Sequence, residues 1–316
     1  MRNDLSSEPR FVSIAETSRH TAPADDPSWQ ESFFLGWCDI ASRSGGAHHI
    51  SLNPKLGLAH MWSWLVVGGK VVARCAEHRL PIPGDDLRNF RLAGHHFRAG
   101  ESIRDLALDT VFETAELSLR YSGFHDPVEL NVLRPQGRHY ESMGRVRGHA
   151  VVDNRRIELS GSGWQDHSWG PRSYAHTLSE RWLFAIFGND LAFSVYCLRT
   201  SDGPREFGYV LDRGEILLID NVAIRAGVAE DGLSPVDCNL EARTADGRIY
   251  TLDGRVTATA MTGGPGWAGT GGYFGMNGLT RFQHGGRVGE GVFELAELKS
   301  LQEPFRTELR FPAGED

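Results

Sequence analysis

From Trp29 onward, apolar residues come in alternating or continuous runs of about four to eight, and turn residues separate them. Residues 58–67 lead through Gly68-Gly69 into 70–75, which predicts a hairpin with a two-glycine turn. Residues 146–152 run into Asp153-Asn154 and return as 156–159. Residues 182–187 turn at Gly188-Asn189-Asp190 into 191–198, and 206–211 turn at Asp212-Arg213-Gly214 into 216–219. Residues 240–244 meet Asp246-Gly247, a strong hairpin signal, and return as 248–252. Strands this frequent, rich in β-branched and aromatic residues, predict an all-β fold, an antiparallel barrel or sandwich. Helical periodicity is scarce, and residues 85–92 and 294–301 are expected to form short helices.

The strands are too many for one small barrel, so two β units are expected. The Gly/Ser/Pro-rich run 160–174 interrupts the strand pattern and marks the division. The expected organisation is a polar N-terminal arm over 1–27, a first unit over 28–174 and a second over 175–316. The arm is expected to be loosely attached, with residues 11–14 apolar enough to lie on the surface of the core. A chain of 316 residues, 40% hydrophobic and 23% charged, has ample material for a core. Its 33 basic against 41 acidic residues, a net charge of −8, argue against a nucleic-acid or anionic-membrane partner. No apolar stretch reaches the ~18 residues of a membrane span, and no secretory signal is visible at the start. Cys38, Cys75, Cys197 and Cys238 lie far apart and read as reduced thiols, so a cytoplasmic location is expected.

The densest chemistry lies between Ser160 and Arg172, where Trp164, Asp166, His167, Trp169 and Arg172 are set among small residues. Glycines there permit close backbone approach. An acid beside tryptophan is kept protonated by desolvation, and indole faces stabilise a passing cation. Protonating an alkene and sheltering the carbocation are what hydration or cyclisation of an isoprenoid needs. The plainer reading has Asp166 capping a turn, His167 filling a hydrogen-bonding gap and the tryptophans serving as core.

The pattern Asp166-His167-Ser168-Trp169-Gly170-x-Arg172, preceded by His139-Tyr140-Glu141, resembles the carotenoid 1,2-hydratase (hydroxyneurosporene synthase) and AttH-like group. Arg281-Phe282 through Gly289-x-Gly291-x-x-Glu294 looks like that group's C-terminal signature, and Glu31-Ser32-Phe33-Phe34 is similar to its start. Ser168 stands where a common form of the motif has Asn. The resemblance implies two tandem lipocalin-like antiparallel barrels with a ligand cavity. It also implies kinship with enzymes that add water across prenyl double bonds. A net-acidic chain without an anchor fits a smaller terpenoid or prenylated aromatic better than a carotenoid.

His48-His49 and His95-His96 are tandem pairs whose members point to opposite strand faces, and no His-x-His or His-Glu-x-x-His spacing occurs. No metal site is therefore expected from spacing, although a cluster assembled in space leaves no such mark. Residues 264–269 fit G-x-G-x-x-G, but Pro265 and the glycines that follow argue for a loop carrying Trp267, Tyr273 and Phe274 towards a ligand. Trp62 and Trp64 share one strand face, as core or as cavity lining. Glu113 and Glu294 are charges in apolar runs, and Tyr140 and Glu141 are placed to be carried towards Asp166.

The expected activity is a cofactor-independent hydratase, dehydratase, isomerase or cyclase acting on an isoprenoid double bond or allylic alcohol. Asp166 donates the proton and His167 orients it or handles water. Trp164, Trp169, Trp62, Trp64, Tyr273, Phe274 and Glu294 line the substrate, a hydrophobic small molecule. The competing expectation is a non-catalytic carrier of such a molecule.

Overall fold

The computed structural model describes residues 8–23, 26–84, 88–130, 137–171, 177–201, 203–261, 273–298 and 308–310. A first sheet is built from β1 (Arg10–Phe11), β2 (Trp29–Asp39), β3 (Ser44–Asn53), β4 (Leu58–Val67), β5 (Lys70–Pro81) and β6 (Asn89–Leu92). It continues through β7 (His95–Ala99), β8 (Asp105–Val111), β9 (Ala115–Gly123), β10 (Val128–Glu129), β11 (Arg138–Val152) and β12 (Arg155–Pro171). The second sheet holds β13 (Thr177–Ile186), β14 (Leu191–Thr200), β15 (Gly203–Asp212), β16 (Glu215–Val228) and β17 (Pro235–Thr244). It is completed by β18 (Ile249–Met261), β19 (Tyr273–His284), β20 (Arg287–Leu298) and β21 (Glu308–Arg310).

Every expected hairpin forms. Val67 faces Lys70 across Gly68 (φ +60°) and Gly69 (φ +82°), and Val152 faces Arg155 across Asp153 (φ +50°) and Asn154 (φ +60°). Two successive positive φ values match the right-handed twist of the flanking strands, which is why Gly and Asn occupy such turns. In the second sheet β13 to β20 follow one another as antiparallel neighbours. β20 pairs back with β13, closing an eight-stranded ring. The first sheet runs β5-β4-β3-β2-β12-β11-β9-β8-β7-β6 and curls without β5 and β6 pairing, a half-barrel. The molecule is a pair of lipocalin-like barrels.

Two expectations need correction. The described residues contain no α-helix, only a 3-10 turn at Ile14–Thr17. Asn89–Leu92 is a strand with alternate exposure, and Glu294–Leu298 belongs to β20. There Phe293 and Leu295 enter the barrel core while Val292 points the other way, a period of two that a short apolar run conceals. Nor does the Gly/Ser-rich run break the strand pattern, because Ser160 to Pro171 continues the 17-residue β12 to its end. Its glycines serve close approach. A Cβ on Gly161 would lie 2.1 Å from the Cys38 carbonyl oxygen, and one on Gly163 2.6 Å from Val146.

Strand alternation divides the apolar side chains into three main groups. Phe33, Leu35, Trp37, Leu108 and Leu119 fill the first half-barrel, and Leu183, Phe193, Val195 and Phe293 fill the ring. Both interiors are packed with side chains. Phe34, Trp62, Trp64 and Trp164 from the first sheet meet Trp182, Phe184, Tyr196 and Phe207 of the second in a shared layer. The arm is docked: β1 pairs with β10, and Val12 packs with Tyr140 and Trp169. No helix among the described residues is long and apolar enough to cross a membrane.

Candidate active site

β12 lies between β11 and β2, and its alternation splits the motif. Trp164 joins the seam between the barrels, and Asp166 shares that face because it sits opposite Glu141 and Phe34. Gln165, His167 and Trp169 point the other way, into the first half-barrel. The structure therefore does not bring His167 to Asp166. The two are neighbours in sequence and back to back in space.

On the seam face, Glu141 is fully buried and collects three partners. Ser194 Oγ and Tyr196 Oη of the second barrel each donate to it at 2.5 Å, and His139 Nε2 lies 2.7 Å away. Glu141 thus ties the two sheets together beside Asp166. The second barrel contributes Glu294, which faces Trp182 on β13 and Asn277 on β19. The Asn277 amide donates to Glu294 Oε2. Glu180 lies two residues before Trp182 on the same strand. Asp166 and Glu294 both keep partial exposure among buried neighbours.

Burial first, then the negative charges of Glu180 and Asp166, push the Glu294 carboxyl up to about 8, against the Asn277 hydrogen bond. Burial and its negative neighbours thus favour the protonated form of Glu294. Burial, then Glu141 and Asp166, likewise hold the Tyr196 phenol protonated.

Aromatic rings form the wall. Trp164 and Trp182 lie 4.1 Å apart between centroids, with Phe34 4.8 Å from Trp164 and 5.7 Å from Trp62. Trp62 and Trp64 thus share the seam face, with His49 stacked on Trp62 at 5.2 Å. The indole N–H groups of Trp64, Trp164 and Trp182 and the Oδ1 of Asn277 are buried without a hydrogen-bond partner. Orphaned donors and acceptors are costly in a core. At the far end of the seam a groove of about 260 Å³ runs past Ile40, Ser162 and Glu290. Glu290 bridges the barrels there, accepting from Ile40 N and Ser162 Oγ, each at 2.9 Å.

On the other face, His167 Nε2 lies 2.9 Å from Glu31, and its Nδ1 lies 3.2 Å from the Tyr140 hydroxyl. Burial lowers the pKa of His167, opposed by Glu31. Trp169 is stacked by His20 of the arm at 3.8 Å. Trp169 is thus remote from the seam group. Glu113 is exposed, and His48 and His49 point to opposite faces. Arg172 and Trp267 lie outside the described residues, as do the side chains of Tyr273 and Phe274, whose backbone starts β19. Sequence reasoning missed Glu31, Tyr196, Asn277, Glu180 and His20. Glu31 carries the mark that singled out Glu294, a charge in an apolar strand. Tyr196 and Asn277 carry no local mark, because their roles arise from cross-strand and cross-sheet pairing.

Solved structures share this architecture. A putative AttH from Nitrosomonas europaea is 15% identical, with 88% of this chain and 95% of that chain aligned at a TM-score of 0.61. CghA, solved with Sch210972, is 14% identical, with 87% and 89% covered at 0.60. Kievitone hydratase from Nectria haematococca is 9% identical, with 85% and 89% covered at 0.58. These identities speak for the fold, as the sequence resemblance implied. No curated protein matches the sequence. A family profile matches residues 13–299, nearly the whole described molecule, and the chain belongs to that family, the Domain of unknown function DUF7064.

Proposed function

We propose that the seam between the barrels is the active site of a hydratase- or cyclase-type enzyme. Its substrate is a hydrophobic small molecule bearing an isoprenoid double bond or allylic alcohol. The observation that supports this reading best is Glu294, a carboxyl set between Trp182 and the Asn277 amide and facing further carboxylates. Glu294 takes the proton-donor role that the motif alone suggested for Asp166. Asp166 becomes the second carboxylate of the site.

The reaction balances on side chains. The Glu294 O–H adds its proton to one alkene carbon, the π pair forms the new C–H bond, and the other carbon becomes cationic. The indole faces of Trp164 and Trp182 shelter that charge. Water attacks the cation and releases a proton to Asp166, and proton return from Asp166 to Glu294 resets the site. Dehydration is the reverse, and cyclisation replaces water with a second π bond of the same molecule. General acid catalysis supplies about 10²–10⁴-fold, so the fixed aromatic and polar walls carry the rest. The names of the structural neighbours, one a hydratase and one solved with Sch210972, accord with a small-molecule site in this fold.

The test is incubation of purified protein with a panel of terpenoids and prenylated aromatics, read by product mass. Gain or loss of one water, or an isomer of unchanged mass, is the expected result. Glu294→Gln is expected to abolish turnover while ligand binding and melting behaviour persist. A fully active Glu294→Gln protein would remove the mechanism, and binding without product across the panel would favour the carrier.

A further inference from the structure

Three side chains, His20, Glu31 and the sequence-distant His167, converge beneath the arm. His20 Nδ1 lies 2.7 Å from Glu31 Oε1, and His167 Nε2 lies 2.9 Å from the same oxygen. One potential ligand atom from each residue lies within 4.8 Å of the other two. Glu31 is 1% exposed and His167 fully buried. The His20 side chain keeps 21% exposure, so the cluster has a solvent side. This group plays no part in the seam chemistry, being on the opposite face of β12.

We infer that His20, Glu31 and His167 form a binding site for one divalent transition-metal ion of the zinc type, which clamps the arm to the first barrel. Two imidazoles and one carboxylate are a set that zinc accepts, with bonds of about 2.0–2.2 Å and room for a fourth ligand from solvent. The nitrogens turned away from the centre support the assignment. His20 Nε2 faces the Glu16 carboxylate at 3.1 Å, and His167 Nδ1 faces the Tyr140 hydroxyl at 3.2 Å. Outer partners of this kind fix the ring orientation of ligating histidines and point the inner nitrogen at the ion. His20 is braced further by stacking on Trp169. The nearby Arg138 guanidinium is engaged by Glu129 and Glu16. An ion replaces the protons shared around Glu31 Oε1, and each His–Glu31 contact, now 2.7 and 2.9 Å, lengthens by about 0.5 Å to reach the spacing of tetrahedral ligands.

The test uses the full chain, stripped with a chelator and titrated with Co²⁺ and then Zn²⁺. One Co²⁺ per chain with the visible absorption of a tetrahedral nitrogen/oxygen set, displaced by Zn²⁺, is expected. Zinc should raise the melting temperature and a chelator should reverse the rise. Glu31→Gln and His167→Gln remove buried ligands and endanger folding, so His20→Gln on the arm is the decisive variant. It should weaken binding at least tenfold while its metal-free melting stays near that of the wild type. Glu16→Gln should weaken binding about tenfold through the outer contact. His78→Gln is the control, since exposed His78 lies beside His60, with ring centroids 5.8 Å apart. No stoichiometric uptake, uptake unchanged in His20→Gln, or uptake lost in His78→Gln would each overturn the inference.

Discussion

Glu294 owes its character to what surrounds it rather than to its type. Desolvation and the negative neighbours Glu180 and Asp166 raise it to about 8, so the neutral acid dominates below that pH and the carboxylate above it. A reaction that consumes its proton should therefore lose rate as pH climbs through about 8. Glu180→Gln deletes the largest charged contributor, which eases ionisation of Glu294. The alkaline limb of the activity profile should move to lower pH, by roughly one unit. An unmoved limb in the pH-rate profile of that variant would show that another group sets it. Asp166 stood out in the sequence through the Gly/Ser/Trp-rich motif around it, and Glu294 as a charge in an apolar run. The association of Asp166 with His167 was misleading. A Gly-Ser run reads as a corner, where adjacent side chains can cooperate, but the run is a strand and adjacent side chains diverge.

The strand carrying the motif explains why so many small residues are spent on it. Gly161 and Gly163 lie where β12 is crossed closely by β2, β11 and the Tyr121 ring of β9. At Gly163 an added methyl meets the buried side chains of Val146 at 2.6 Å and Tyr121 at 2.9 Å, so a side chain has to shift, though no backbone does. At Gly161 it meets a backbone carbonyl at 2.1 Å, which cannot yield without displacing β2. Gly163→Ala should cost about 1–3 kcal/mol in denaturant unfolding, and Gly161→Ala clearly more. Equal costs would contradict this packing. Hairpins such as 67–70 and 152–155 were readable because positive φ restricts the turn residues. The β2–β12 and β13–β20 pairings were not, because they join segments more than a hundred residues apart without a local signature.

Contacts between domains are commonly polar and loose, which permits relative motion. The seam here is built differently. Trp62, Trp64 and Trp164 interlock with Trp182, Phe184 and Phe207, and this layer is as well buried as either private core. Polar ties reinforce it: Ser194 and Tyr196 reach Glu141, and Ile40 and Ser162 reach Glu290. Unfolding one barrel alone would expose these tryptophans and strip Glu141 of its Ser194 and Tyr196 donors, a penalty neither barrel can offset separately. The whole molecule should therefore melt in one cooperative transition, with calorimetric and van't Hoff enthalpies in agreement. Trp182→Ala removes a side chain that is 3% exposed and touches rings of both barrels. Its cost should be about 3–5 kcal/mol, and near-UV signals from both barrels should be lost together. Two resolved transitions in the wild type, or a Trp182→Ala protein whose first barrel melts unchanged, would mean that the barrels fold as independent bodies. A site made from Asp166 of one barrel and Glu294 of the other would then lack the rigid frame that proton transfer between fixed groups requires.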